Sequence, residues 1–110
     1  MTPVLNVEVD MFSGRPNPRL RLGDGEATRL HALIARQRSV LNDVRTADQL
    51  GFRGFIVTNE NTGEIYRVRG RVLQMGEKTY LDRNGEIQSY VLSILPQDVR
   101  AMLLPLLDAR

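Results

Sequence analysis

Hydrophobic and polar positions alternate from the start of the chain. Leu5, Val7, Val9 and Met11 interleave with Asn6, Glu8 and Asp10, the pattern of a strand with one buried and one polar face. Alternation resumes in Arg19-Leu20-Arg21-Leu22, a short second strand that Pro18 suits at its beginning. The period then changes. Gly23-Asp24-Gly25-Glu26 reads as a helix start with Asp24 as N-cap, and Leu30, Leu33, Ile34, Gln37 and Leu41 recur on one face to about residue 41. Leu50 to Thr58 is apolar on both faces and is expected as a central strand. Glu60-Asn61-Thr62-Gly63 is a turn. Ile65 to Met75 reads as one long fourth strand, and after a Gly76-Glu77 turn Lys78 to Leu81 pairs back as a fifth. Further on, Ile87, Tyr90, Val91, Ile94 and Leu95 have helical spacing, with Asp82 as the expected N-cap. Pro96 ends that helix and opens another, whose apolar face is Val99, Met102, Leu103, Leu106 and Leu107. Helices segregated from an antiparallel sheet of about five strands, in the order β-β-α-β-β-β-α-α, define a single α+β domain over residues 1–110.

The segment between the first two strands departs from this pattern. In Phe12-Ser13-Gly14-Arg15-Pro16-Asn17-Pro18, two prolines set two backbone angles and push Arg15 and Asn17 toward extended geometry. A guanidinium and an amide are thereby held on a stiff loop. One reading is that Arg15 and Asn17 recognise a ligand or partner. The other is that the prolines only enforce the strand connection while Arg15 pairs with Asp10. In Leu50-Gly51-Phe52-Arg53-Gly54-Phe55 the glycines flanking Arg53 imply either close approach of a backbone or ligand, or a bulge with Arg53 in a cross-strand salt bridge.

Charge adds a third feature. The chain of 110 residues carries 15 basic and 13 acidic residues, and of the basic ones only Lys78 is a lysine. Arginine can bind carboxylate or phosphate through two parallel hydrogen bonds. Arg67, Arg69 and Arg71, at alternate positions of the expected fourth strand, stand in line on one face at intervals of roughly 6–7 Å. Tyr66 points to the other face, so the row lacks the stacking platform of an RNA-binding sheet. Glu8 and Asp10 are available to neutralise it. Nucleic acid is therefore not an expected partner.

Other chemistry is thin. With no cysteine, thiol catalysis, disulfides and zinc-thiolate sites are excluded. His31, the single histidine, flanks the apolar stripe of the first helix and reads as a surface residue. No phosphate-binding glycine pattern, nucleophile elbow or metalloprotease motif is present, so no cofactor and no metal are expected. Neither a signal peptide nor a membrane-length apolar run is seen, so a cytoplasmic protein is expected.

Taken together, the proline loop and the Leu50–Phe55 segment resemble those of small, largely uncharacterised bacterial proteins, which carry a similar loop early and a similar glycine-arginine-glycine strand near the middle. The resemblance spans most of the chain. It implies that Arg15, Asn17 and Arg53 belong together, and no activity comes with it. The leading expectation is a non-catalytic binding or accessory module. It would recognise a protein or small molecule, anionic or amide-containing, through Arg15, Asn17 and Arg53. The rival is a cofactor-independent biosynthetic enzyme in which Arg15 and Arg53 stabilise negative charge while His31 or a carboxylate moves the proton. A third reading is a homo-oligomer formed through a sheet edge or the C-terminal helix.

Overall fold

A computed structural model describes residues 2–11, 16–37, 52–82 and 84–108. Six antiparallel strands form one sheet: β1 (Leu5–Val9), β2 (Arg19–Arg21), β3 (Phe55–Asn59), β4 (Ile65–Arg69), β5 (Val72–Met75) and β6 (Lys78–Leu81). Their spatial order is β2-β1-β3-β4-β5-β6. The helices are α1 (Asp24–Ala35), α2 (Glu86–Ile94) and α3 (Gln97–Asp108). The α+β class is as the periodicities predict.

Strand alternation decides the layering. Leu5, Val7, Val9, Phe55, Val57, Val68 and Leu73 face one way and share a core with Ala27, Leu30, Leu33, Ile87, Val91 and Leu103 of the helices. All three helices therefore lie on one face of the sheet. Among the described residues no helix covers the other, which carries Asn6, Glu8, Ile56, Thr58, Arg67 and Gln74. Phe52 and Phe55 meet edge to face at 5.2 Å deep in the core. Each fully buried side chain of this size stabilises the fold by roughly 1.5–3 kcal/mol. That exceeds a single polar contact on the open face, so the core holds the fold and the polar groups set local geometry.

Several expectations change. The segment from Ile65 to Met75 is two strands, not one, because Gly70 takes φ +59° and turns the chain with Arg71. A glycine in the first central position is what a tight two-residue hairpin turn favours. The sheet thus has six strands, and Arg71 lies in a turn outside the row of Arg67 and Arg69. The regular ladder of β3 starts only at Phe55, after Gly54 at φ +118°, and its two faces are unequal, one buried and one half-buried. Leu50 lies outside the described residues, as does Leu41.

Helix α1 ends at Ala35, short of residue 41, where the side chain of Gln37 turns back to donate to the Leu33 carbonyl (2.9 Å). Its N-cap is Gly23, not Asp24, and the Glu26 carboxylate accepts the Gly23 N–H (3.1 Å). Both C-terminal helices stand where predicted. Gly85, at φ +65°, takes the N-cap position of α2, while Asp82 caps from further upstream by accepting the Ile87 N–H (2.7 Å). Arg100 of α3 donates to the carbonyls of Leu92, Ser93 and Leu95, so one side chain satisfies the open end of α2. An Arg36–Glu86 ion pair joins the end of α1 to the start of α2.

Candidate functional site

Asp10 is the last polar-face residue of the first strand segment, and it gathers side chains from three distant parts of the chain. Arg53 donates to its Oδ1 through Nε (3.2 Å) and Nη2 (2.9 Å). Arg67 Nη1 donates to its Oδ2 (3.0 Å) and also to the Arg53 carbonyl (3.0 Å). Asn17 Nδ2 donates to Asp10 Oδ1 (3.2 Å) and to Glu8 Oε2 (2.9 Å), while Asn17 Oδ1 accepts the Met11 N–H (3.1 Å).

The backbone explains why these groups meet. Arg53 N–H donates to the Asp10 carbonyl and Asp10 N–H to the Gly54 carbonyl, so two residues face one in the manner of a bulge. A Cβ on Gly54 would stand 2.8 Å from the Val68 carbonyl oxygen, so only glycine lets β4 come this close. That approach brings Arg67 to Asp10 across the intervening strand. At the other side, Val9 N–H donates to the Pro18 carbonyl, and Asn17 ties the returning loop to Glu8, Asp10 and Met11.

Asp10 feels two opposing effects. Partial burial favours its neutral form, but hydrogen bonds and charge from Arg53 and Arg67 outweigh it and hold the carboxyl below its ordinary value. Its side chain is only 13% exposed, whereas those of Arg53 and Arg67 are 46% and 41% exposed. The anion is thus shielded and both cations reach solvent. Next to this corner a groove of about 390 Å³ opens on the helix-free face, lined by Asn6, Val7, Glu8, Arg19, Ile56 and Thr58. Glu8 links groove and corner: its Oε1 pairs with Arg19 (3.2 Å) and its Oε2 accepts from Asn17.

Of the three residues expected to act together, Asn17 and Arg53 meet on Asp10, and Arg15 lies outside the described residues. Both expectations for the Gly-Arg-Gly segment hold at once, since the glycine admits a neighbouring backbone and Arg53 forms a cross-strand salt bridge. The sequence reading named Asp10 as a partner for the arginine row, and Arg67 does pair with it, but it missed that Arg53 and Asn17 meet on the same carboxylate. The usable signal was an acid ending the polar face of the first strand together with an arginine set between glycines.

Tyr66 faces the helices, where burial, with the charge and a hydrogen bond of Glu64 beside it, raises its phenol above the usual value. Among the described residues no aromatic side chain stands on the open face. His31 is exposed in the helical layer, with the sheet between it and the groove. The described residues hold no cluster of three metal-ligating side chains, and no helix is long and apolar enough to cross a membrane.

Fold and site together define a two-layer α+β domain whose open sheet face carries a groove and, beside it, a corner where two arginines share one carboxylate. No protein-family model, curated protein or solved structure matches the chain.

Proposed function

We propose that the domain is a small non-catalytic binding module. Its partner carries a carboxylate, another anionic group or an amide, and it docks in the groove beside the Asp10 corner. The observation that carries this reading is the convergence of two half-exposed guanidiniums on one shielded carboxylate. The shared anchor restricts both side chains before a partner arrives. Pre-ordered groups lose less entropy on binding. Asn17 acts here by holding the loop, since its amide bonds Glu8, Asp10 and the Met11 backbone. Arg15, one residue before Pro16, is read as the loop's own contribution to recognition. The cysteine-free chain and the resemblance to small bacterial proteins are the grounds for reading it as a cytoplasmic bacterial module.

The test is a chemical-shift titration with N-acetylated amino acids, which present a carboxylate and an amide on one small frame. Saturable shifts should cluster at Asn6, Glu8, Thr58 and Arg53, and Arg53→Gln should weaken binding about tenfold, while Arg71→Gln leaves it unchanged. Shifts that never saturate, or that centre on the helical layer, would overturn the proposal.

A further inference from the structure

The two arginines of the corner use their guanidiniums differently. Arg53 turns its Nε and Nη2 on Asp10, both donating to Oδ1. Arg67 commits only Nη1, which is shared between Asp10 Oδ2 and the Arg53 carbonyl. Its Nε and Nη2 have no partner among the described residues. Those N–H groups run parallel along one edge of the guanidinium, the edge that bonds a carboxylate side on. Arg67 is therefore held in place from one side, near half-exposed, and open on its carboxylate-binding edge.

We propose that this edge of Arg67 anchors the carboxylate of a small N-acyl amino acid, while Thr58 and Asn6 receive the amide. The proposal rests on the reading of the groove as a binding site and names its ligand. Ile56 ties the edge to the groove, since it faces Arg67 across the β3–β4 ladder and also lines the groove. Thr58 is the next residue of β3 on the same face, roughly 7 Å along the strand, and it faces Asn6 of β1. The Thr58 hydroxyl has no partner among the described residues. Asn6 commits its Nδ2 to Glu60, and its Oδ1 accepts no bond among the described residues. A secondary amide matches this pair, its C=O accepting from the hydroxyl and its N–H donating to Oδ1. Half-buried Ile56 is the apolar floor between the two ends.

Size and charge narrow the occupant. A groove of about 390 Å³ is near the small end of ligand sites, so it suits a metabolite of a few bonds rather than a macromolecule. Glu8 lines the groove and Asp10 lies beside it, the first bonded to Arg19 and Asn17, the second to Arg53, Arg67 and Asn17. A phosphate dianion would meet both carboxylates at close range. A carboxylate brings one charge, and two oxygens for two donors.

Three probes of one frame separate these features: N-acetylglycine, N-acetylglycinamide, which lacks the carboxylate, and N-acetylaminomethylphosphonate, which replaces it. In chemical-shift titrations of the unaltered chain, N-acetylglycine should bind about tenfold more tightly than either of the others. Arg67→Lys keeps the charge but cannot form two parallel bonds, so it should weaken N-acetylglycine about tenfold and leave N-acetylglycinamide unchanged. Thr58→Val should weaken N-acetylglycine about threefold. Should Arg67→Lys fail to fold, the order of the three probes on the unaltered chain carries the test alone. Equal affinity for N-acetylglycine and its amide, with shifts at Asn6 and Thr58, would overturn the Arg67 assignment and leave the binding module standing. Preference for the phosphonate, or a carboxylate preference indifferent to Arg67→Lys, would overturn the assignment too. Indifference to Thr58→Val would remove the amide end. Saturable binding of none of the probes would overturn the assignment and the module together.

Discussion

Two shielded aspartates do opposite kinds of work in this domain. Asp10 binds side chains, collecting Asn17, Arg53 and Arg67 from 7, 43 and 57 residues away. Asp82 binds backbone, accepting the N–H of Ile87 five residues on and closing the passage from β6 into α2. Each lies near a glycine of positive φ, Gly54 in the first case and Gly85 in the second. The glycines differ as well. A Cβ on Gly54 would strike a backbone carbonyl, whereas one on Gly85 would meet only the flexible Arg71 side chain at 3.5 Å. One corner is thus an assembly of remote parts and the other a local device. The first depends on charge, and the second needs only an acceptor oxygen.

Substitutions can separate the two. The largest effect is expected from Gly54→Ala, which brings a methyl within 2.8 Å of the Val68 carbonyl at a disfavoured φ. It should destabilise the fold by about 3 kcal/mol. Gly85→Ala should cost only about 1 kcal/mol, since its contacts are ordinary. Urea unfolding of the pair measures the difference, and equal losses would show that close approach of β4 is not what Gly54 provides.

Next comes Asp10→Ala, at about 2 kcal/mol, less than for breaking a fully buried ion pair because both arginines are near half-exposed. Asp10→Asn should lose most of the same amount, because the charge is what two guanidiniums require. The pH dependence follows in sign. The folded-state carboxyl titrates below the unfolded one, so its stabilisation is complete above about pH 4 and is lost as the pH falls through the folded value. Unfolding midpoints measured between about pH 5 and pH 2 should fall less steeply in Asp10→Asn than in the unaltered protein. Parallel slopes would mean that Asp10 is not charge-paired in solution.

Asp82→Ala should cost about 1–2 kcal/mol through the loss of a helix cap. Here Asp82→Asn should be close to neutral, since asparagine caps as well as aspartate does. A large loss in Asp82→Asn would erase the distinction between the corners and point to a role for the Asp82 charge. The smallest effect belongs to Arg71→Gln, at a turn residue, within about 0.5 kcal/mol. Arg67→Gln should exceed it because Arg67 holds both Asp10 and the Arg53 carbonyl. Thermal melts of the two variants rank them.

The same contrast explains what was legible before the fold was known. Asp82, Pro96 and the period of Ile87, Tyr90, Val91 and Ile94 predicted α2 and α3 correctly, because a cap, a proline and one amphipathic face act within a few residues. Gly76-Glu77 and Glu60-Asn61-Thr62-Gly63 announced their turns for the same reason. The Gly70-Arg71 turn went unread because Arg67, Arg69 and Arg71 continue an apparent alternation through it. The adjacent Val72-Leu73 doublet, both residues buried, was the break in pattern that marks a new strand.

The sequence by itself determined the α+β class, the buried face of β1, and both C-terminal helices, since period, turn chemistry and proline act over short stretches of chain. Only the tertiary structure decided that β3 lies between β1 and β4, that Gly54 lets β4 close in, and that Arg67 thereby reaches Asp10. These depend on strand order and on the approach of one backbone to another. No local periodicity encodes them, because the side-chain pattern of a strand states which face is buried and not which strand lies beside it.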